Sequence, residues 1–152
     1  MQQIHHEAGY LFSSDKARLQ PDVIHQYLSE EAYWSKKIPL QTVLTAIEHS
    51  FCIGIYTDDG LQVGFARIVT DYATFGYLAD VFVKTEHRGK GLSKLLMKLI
   101  TELPWIRGLR RFTLATVDAH GLYRQFGFQD PAHPERLLEI VRPGMYEHAQ
   151  EK

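Results

Sequence analysis

Arg88-Gly89-Lys90-Gly91-Leu92-Ser93 is the stretch on which the reading of this chain turns. It stands between an apolar, β-rich run, Phe75 to Val83, and an apolar stripe of helical period. That stripe is Leu92, Leu95, Leu96, Leu99, Ile100 and Leu103, at i, i+3, i+4, i+7, i+8 and i+11, and Pro104 ends it. The order is therefore strand, basic glycine-rich turn, helix. Two glycines let successive backbone N–H groups point into one concavity. The helix that follows adds its own unpaired N–H groups and the positive end of its dipole. A phosphate bound there is held largely by backbone, with charge added by Arg88 and Lys90. The plainer alternative is a tight turn with solvated charges. The Lys-Ser/Thr of a P-loop is missing after the second glycine, and the preceding strand does not open a βαβ unit, which argues against a dinucleotide fingerprint. Lys84, His87, Arg88, Lys90, Lys94 and Lys98 crowd around the loop with Glu86 as the one acid, which suits a ligand with several phosphates.

Working outward, Phe51–Tyr56 and Leu61–Val69 are apolar runs joined by Thr57-Asp58-Asp59-Gly60, a hairpin signal. Asp71-Tyr72-Ala73-Thr74 turns the chain into Phe75–Val83, so three strands form an antiparallel meander. Phe112–Val117 reads as a further strand, reached by a helical crossover and so parallel to Phe75–Val83. Tyr10–Ser13 reads as a short first strand. Helices are expected from Pro21-Asp22, from Pro39 to about His49, and from Asp118, as N-cap, to Phe126. A last strand is expected around Leu137–Val141. The sum is an α+β domain with a mixed sheet.

The chain has 152 residues, which suits one domain spanning 1–152. Hydrophobic residues make up 45% and the formal net charge is −1, so no global basic face points to nucleic acid or an anionic membrane. A nucleic-acid reading rests only on the basic segment Lys84–Lys98. Cys52 is the only cysteine, which excludes an intrachain disulfide and a cysteine zinc site. The eight histidines show no ligand pair at helical spacing, so no metal is expected. No apolar stretch reaches the ~20 residues of a membrane span, and Met1–Glu7 lacks the pattern of a secretory signal. A cytoplasmic setting is the economical expectation.

Val81-Phe82-Val83 followed by Arg88-Gly89-Lys90-Gly91-Leu92-Ser93 resembles the main motif of the Gcn5-related N-acetyltransferase (GNAT) family, Gln/Arg-x-x-Gly-x-Gly/Ala opening a helix. Ser93 departs from Gly/Ala at the last position and is still small. Downstream, Ala119-His120-Gly121-Leu122-Tyr123-Arg124-Gln125-Phe126-Gly127-Phe128 resembles the family's Ala-x-x-Leu-Tyr-x-x-x-Gly-Phe segment, with Thr116 where an Asn often stands. Two motifs in the right order are far more specific than either alone. The resemblance implies a mostly antiparallel mixed sheet with flanking helices and a V-shaped splay between two central parallel strands. It also implies acetyl-CoA as cosubstrate, bound by Val81, Phe82, Val83 and the loop Arg88, Gly89, Lys90, Gly91, Leu92 and Ser93. An N–H near Phe82 or Val83 would polarise the thioester carbonyl, and an amine of a small molecule, amino acid or peptide would attack directly.

Tyr123 matches the family's usual proton donor to the departing thiolate. Asp80, by alternation on the face of Leu78 and Phe82, is the candidate base; a structural hydrogen-bond acceptor is the equal alternative. Glu30, Glu31 and His120 are weaker candidates. Tyr33, Trp34, Phe51, Arg67 and Tyr72 are expected to line the acceptor pocket. Arg67 suits either a substrate carboxylate or a cross-strand pair with Asp80 or Asp71. A CoA-binding sensor without turnover would keep the same fold, and the family's frequent pairing leaves a homodimer open.

Overall fold

The structure, a computed structural model, describes residues 4–149. Six strands form one sheet in the order β1-β2-β3-β4-β5-β6: β1 Ile4–Glu7, β2 Tyr10–Ser13, β3 Phe51–Thr57, β4 Gln62–Thr70, β5 Phe75–Val83 and β6 Arg111–Leu114. Neighbours from β1 to β5 are antiparallel, and β5 and β6 run parallel. The hairpin, the meander and the parallel crossover all form as the turn residues and apolar runs predict. The β1 strand was not anticipated.

The helices are α1 Pro21–Gln26, α2 Leu40–Glu48, α3 Leu92–Thr101, α4 Pro104–Arg107, α5 His120–Arg124 and α6 Met145–Ala149. A π-helical turn, Tyr27–Glu31, extends α1. They cover the sheet on two faces. One core joins Ile53, Ile55, Ala66, Ile68 and Leu78 to Leu92, Leu96, Met97 and Ile100 of α3. The other joins Cys52, Phe65 and Phe82 to Ile24, Tyr27, Leu28 and Val43 from the α1–α2 side. Phe82 lies between Tyr27, stacked at 4.0 Å, and Phe65 at 5.9 Å.

Two expectations fail. Leu137–Val141 pairs with no strand, so β6 closes the sheet and the parallel pair lies at its end. Asp118 does not cap α5: the Thr116 hydroxyl accepts from the Ala119 N–H at 3.1 Å, and α5 begins without a side-chain cap. Pro104 not only ends the leucine stripe but opens α4, where its missing N–H costs nothing in a first turn.

The feature that positions the site is in β5. Arg67 pairs with Ala79 and Phe65 with Phe82, so Asp80 and Val81 together oppose the single residue Ala66. This is a β-bulge, and Asp80 within it takes a left-handed φ of 53°. The bulge shifts the phase of the strand. Leu78 belongs to the α3 core and Phe82 to the α1–α2 core, so the alternation expected to put Leu78, Asp80 and Phe82 on one face is broken.

Candidate active site

Parallel pairing between β5 and β6 covers only Phe75–Leu78 against Arg111–Leu114. From Ala79 to Val83, β5 keeps β4 on one side and has no strand on the other. This is the expected splay, and it begins where the bulge begins. An extended ligand can lie against the free edge of Val81–Val83 as an added strand would.

The splay leads to the glycine loop. Gly89 and Gly91 have φ of 79° and 78°, and a Cβ at either would meet nothing within 4 Å, so open space lies above both. Gly91 is the N-cap of α3, and no side chain caps that helix. The first N–H groups of Leu92, Ser93 and Lys94 therefore await an acceptor from outside, as an anion site requires. Arg88 is partly committed: its Nε donates to the Val83 carbonyl at 2.9 Å and its NH2 to the Tyr27 hydroxyl at 2.8 Å. It clamps the end of β5 to the α1 side. Lys90 Nζ donates to the Tyr10 hydroxyl at 3.2 Å, and His87 Nδ1 shares that hydroxyl at 2.7 Å. Uncapped helix, open glycines and a free strand edge fit a pantetheine pyrophosphate.

At the bulge, Asp80 and Arg67 form an ion pair at 2.8 Å, with side chains 13% and 18% exposed. Trp34 Nε1 donates to the other Asp80 oxygen at 2.9 Å, and Arg67 NH1 donates to Ser50 Oγ at 3.0 Å. Arg67 is thus engaged within the chain. Tyr33 crosses the splay: it packs edge-on against Trp34 at 5.0 Å, and its hydroxyl accepts from the Val117 N–H at 3.3 Å. Trp34 is tied to β5 and Tyr33 to the chain leaving β6, so the two aromatics bridge the opening.

Phe51 and Tyr72 do not join this group. Both pack edge-on against Trp105 of α4, at 5.1 and 4.9 Å. Phe51 leans on the α3 core, the sheet face opposite Cys52 and Arg67. Trp105 is the partner that sequence reasoning missed; its place just after Pro104, in the first turn of α4, was the available signal.

Tyr123 is buried against Phe128 at 5.9 Å, and its hydroxyl has no hydrogen-bond partner among the described residues. Burial pushes its pKa upward, reinforced by Tyr33 and then Asp118. The phenol therefore holds its proton at neutral pH and is free to donate it. His120, Thr116 and Tyr123 line a cleft of about 620 Å³ that runs along β6. Among the described residues no group of three or more His, Cys, Asp or Glu side chains could hold a metal ion, and no helix is long and apolar enough to cross a membrane.

Residues 22–128 match the Acetyltransferase (GNAT) family. A protein of Gibberella zeae named as an acetyltransferase is 33% identical over 141 residues, covering 80% of each chain. The bovine thialysine N-epsilon-acetyltransferase is 32% identical over 81 residues, 48% of each chain. A crystal structure from Xanthomonas campestris pv. campestris, described as an acetyltransferase of the GNAT family, superposes with a TM-score of 0.88 at 49% identity, covering 95% of this chain and 99% of that one. The splayed parallel strands, the uncapped glycine-rich helix start and these relatives lead to one conclusion: this chain belongs to the GNAT acetyltransferase family.

Proposed function

We propose that this chain transfers the acetyl group of acetyl-CoA to a primary amine of a small molecule, amino acid or peptide by direct attack, with Tyr123 as general acid. The observation that carries the reading is the buried Tyr123, its phenol protonated and unpartnered, beside strands that splay towards the uncapped start of α3. Backbone of Val81, Phe82 and Val83 would hold the pantetheine, and Gly89, Lys90, Gly91, Leu92 and Ser93 the pyrophosphate, with Arg88 steadying the strand end.

The amine lone pair forms the new C–N bond as the C–S bond breaks. Tyr123 gives its proton to the departing sulfur. Asp80 is the carboxylate on the amine side. Two of its acceptor sites are taken by Arg67 and Trp34, and its remaining lone pairs receive the proton of the incoming ammonium directly or through water. Tyr33 and Trp34 form the wall the amine passes. The bovine relative is named for an amine at the end of an amino-acid side chain, which supports an acceptor of that kind. A single free cysteine, Cys52, supports a cytoplasmic setting.

Calorimetry with acetyl-CoA, on the native chain and an Arg88→Ala, Gly91→Glu variant, tests the cosubstrate site; native binding that the variant lacks is the expected result. Tyr123→Phe should keep acetyl-CoA affinity and lose roughly 100-fold or more in kcat across a panel of amines. Unchanged turnover would remove Tyr123 from the mechanism, and absence of native binding would remove the reading.

A further inference from the structure

The glycine loop is shaped from outside itself. Gly89, Lys90 and Gly91 donate no backbone hydrogen bond among the described residues. Both glycines sit in left-handed backbone, at φ of 79° and 78°, and no side chain caps α3. Unspent N–H groups are what an anion site needs. A loop that spends none of them internally, however, has nothing of its own to aim them in one direction. Ordering it only when a ligand arrives would subtract from affinity.

Side chains supply the fixing. His87, Arg88 and Lys90 each reach a tyrosine hydroxyl from a distant part of the chain. Tyr10, in β2, is buried; its hydroxyl pairs with His87 Nδ1 at 2.7 Å and accepts from Lys90 Nζ at 3.2 Å. A phenol is donor and acceptor at once, so one hydroxyl serves both partners. The Tyr10 and His87 rings also meet edge to face at 5.6 Å. Tyr27, equally buried, accepts from Arg88 NH2 at 2.8 Å, and its ring is held by stacking on Phe82. Tyr10 belongs to the core on the α3 face and Tyr27 to the core on the α1–α2 face. The loop is therefore gripped from both faces of the sheet.

We infer that Tyr10 and Tyr27 are positioning residues for the cosubstrate: their hydroxyls hold His87, Lys90 and Arg88 so that the loop's free N–H groups converge before a pyrophosphate arrives. The inference rests on the proposed acetyl-CoA site and adds to it two residues from outside the loop. An ammonium carries three N–H donors, so Lys90 is placed by one of them and keeps two for a phosphate. The nest is thus built in advance, and its ordering is paid in folding rather than in binding.

The test compares the native chain with Tyr10→Phe, Tyr27→Phe and the double variant. Each change removes one oxygen and keeps the ring, so the stack on Phe82 survives and the circular dichroism should match the native spectrum. Amide exchange in the unliganded chains is followed at His87 and Arg88, whose N–H groups donate to the Lys84 and Thr85 carbonyls at 2.9 and 3.2 Å. Exchange there should be at least about ten-fold faster in the double variant, with Leu96, Met97 and Ile100 of α3 unmoved. Affinities are then measured for acetyl-CoA and for S-acetyl-pantetheine, which has the same thioester arm and no pyrophosphate. Each single variant should bind acetyl-CoA about 3–10-fold more weakly and S-acetyl-pantetheine as the native chain does. Unchanged exchange, native affinity for acetyl-CoA in the double variant, or an equal loss for both ligands would each overturn the inference and leave the acetyl-CoA site standing. A native chain that binds no acetyl-CoA would overturn the site itself, and the inference with it.

Discussion

Replacing Asp80 with alanine and with glycine separates two energies that coincide at this residue. Its side chain accepts from Arg67 at 2.8 Å and Trp34 at 2.9 Å, and its backbone sits at φ 53°. Both partners of the ion pair are less than one-fifth exposed, so solvent screening removes only part of the interaction. A hydrogen bond to a charged partner contributes ~1.5–3 kcal/mol net, and we take about 2 kcal/mol here. Trp34 is half-exposed and recovers a water when released, so its loss adds little. Alanine bears the same left-handed backbone as the native aspartate, a cost of roughly 1–2 kcal/mol that glycine escapes. Asp80→Ala is expected to destabilise by about 2 kcal/mol and Asp80→Gly by about 1 kcal/mol or less. At about 2–4 °C per kcal/mol for a chain of this size, the alanine variant melts about 4–8 °C lower. Urea unfolding at fixed protein concentration reads these values, and a cycle with Arg67→Met isolates the pair. Coupling below about 0.5 kcal/mol, or alanine no worse than glycine, would refute the account of the bulge as a strained residue held by its ion pair.

Tyr56→Phe should leave stability unchanged or raise it by up to about 1 kcal/mol in urea unfolding, because the buried Tyr56 hydroxyl has no hydrogen-bond partner among the described residues; a clear loss would mean the hydroxyl is satisfied by water. Gly91→Ala should cost roughly 1–2 kcal/mol through its φ of 78° alone, since a Cβ there meets nothing. In the native chain the Cys52 thiol is raised from 9.0 to about 11, and burial also raises Tyr56 and Tyr123. Each binds its proton more tightly folded than unfolded. Their contribution is complete below pH 9, the unfolded thiol value, and for Cys52 is lost as pH rises through about 11. The urea midpoint should fall over that window, and Cys52→Ala should flatten its onset; an unchanged onset would sink the assignment.

What was legible in the sequence follows from which signals are local. The bounds of β5 and the β3–β4 hairpin were readable because apolar runs and turn residues there act over short distances. Helix α3 was readable from its leucine stripe, although Met97, outside that stripe, is fully buried because a helix under a sheet edge is covered on more than one side. The glycine loop needed only local backbone freedom and charge. The acceptor side was less readable. Alternation cannot reveal a one-residue bulge, and the sole hint was an aspartate, a residue tolerant of left-handed backbone, inside an apolar strand. Phe51 and Tyr72 were misplaced because nothing near them in sequence announces Trp105. Leu137–Val141 has a strand's composition, but composition alone does not supply a neighbouring edge to pair with.

The bulge at Asp80 is also why fold and site cannot be separated in this chain. A regular β5 would keep Leu78 and Phe82 on one face; with one residue inserted, they serve opposite cores. The same insertion lets β5 follow β4 to Val83 while its pairing with β6 ends at Leu78. The splay and the placement of Asp80 between Arg67 and Trp34 thus arise from one irregularity. Its cost, a left-handed aspartate, is offset by bonds to Arg67 and Trp34. Trp34 and Tyr33 then tie the two diverging strands together across the opening. A regularised strand, made by deleting Asp80, should restore alternation through Val83. It should therefore lose acetyl-CoA binding even if it unfolds no more readily than the native chain. Retained affinity would show that the splay does not depend on the bulge.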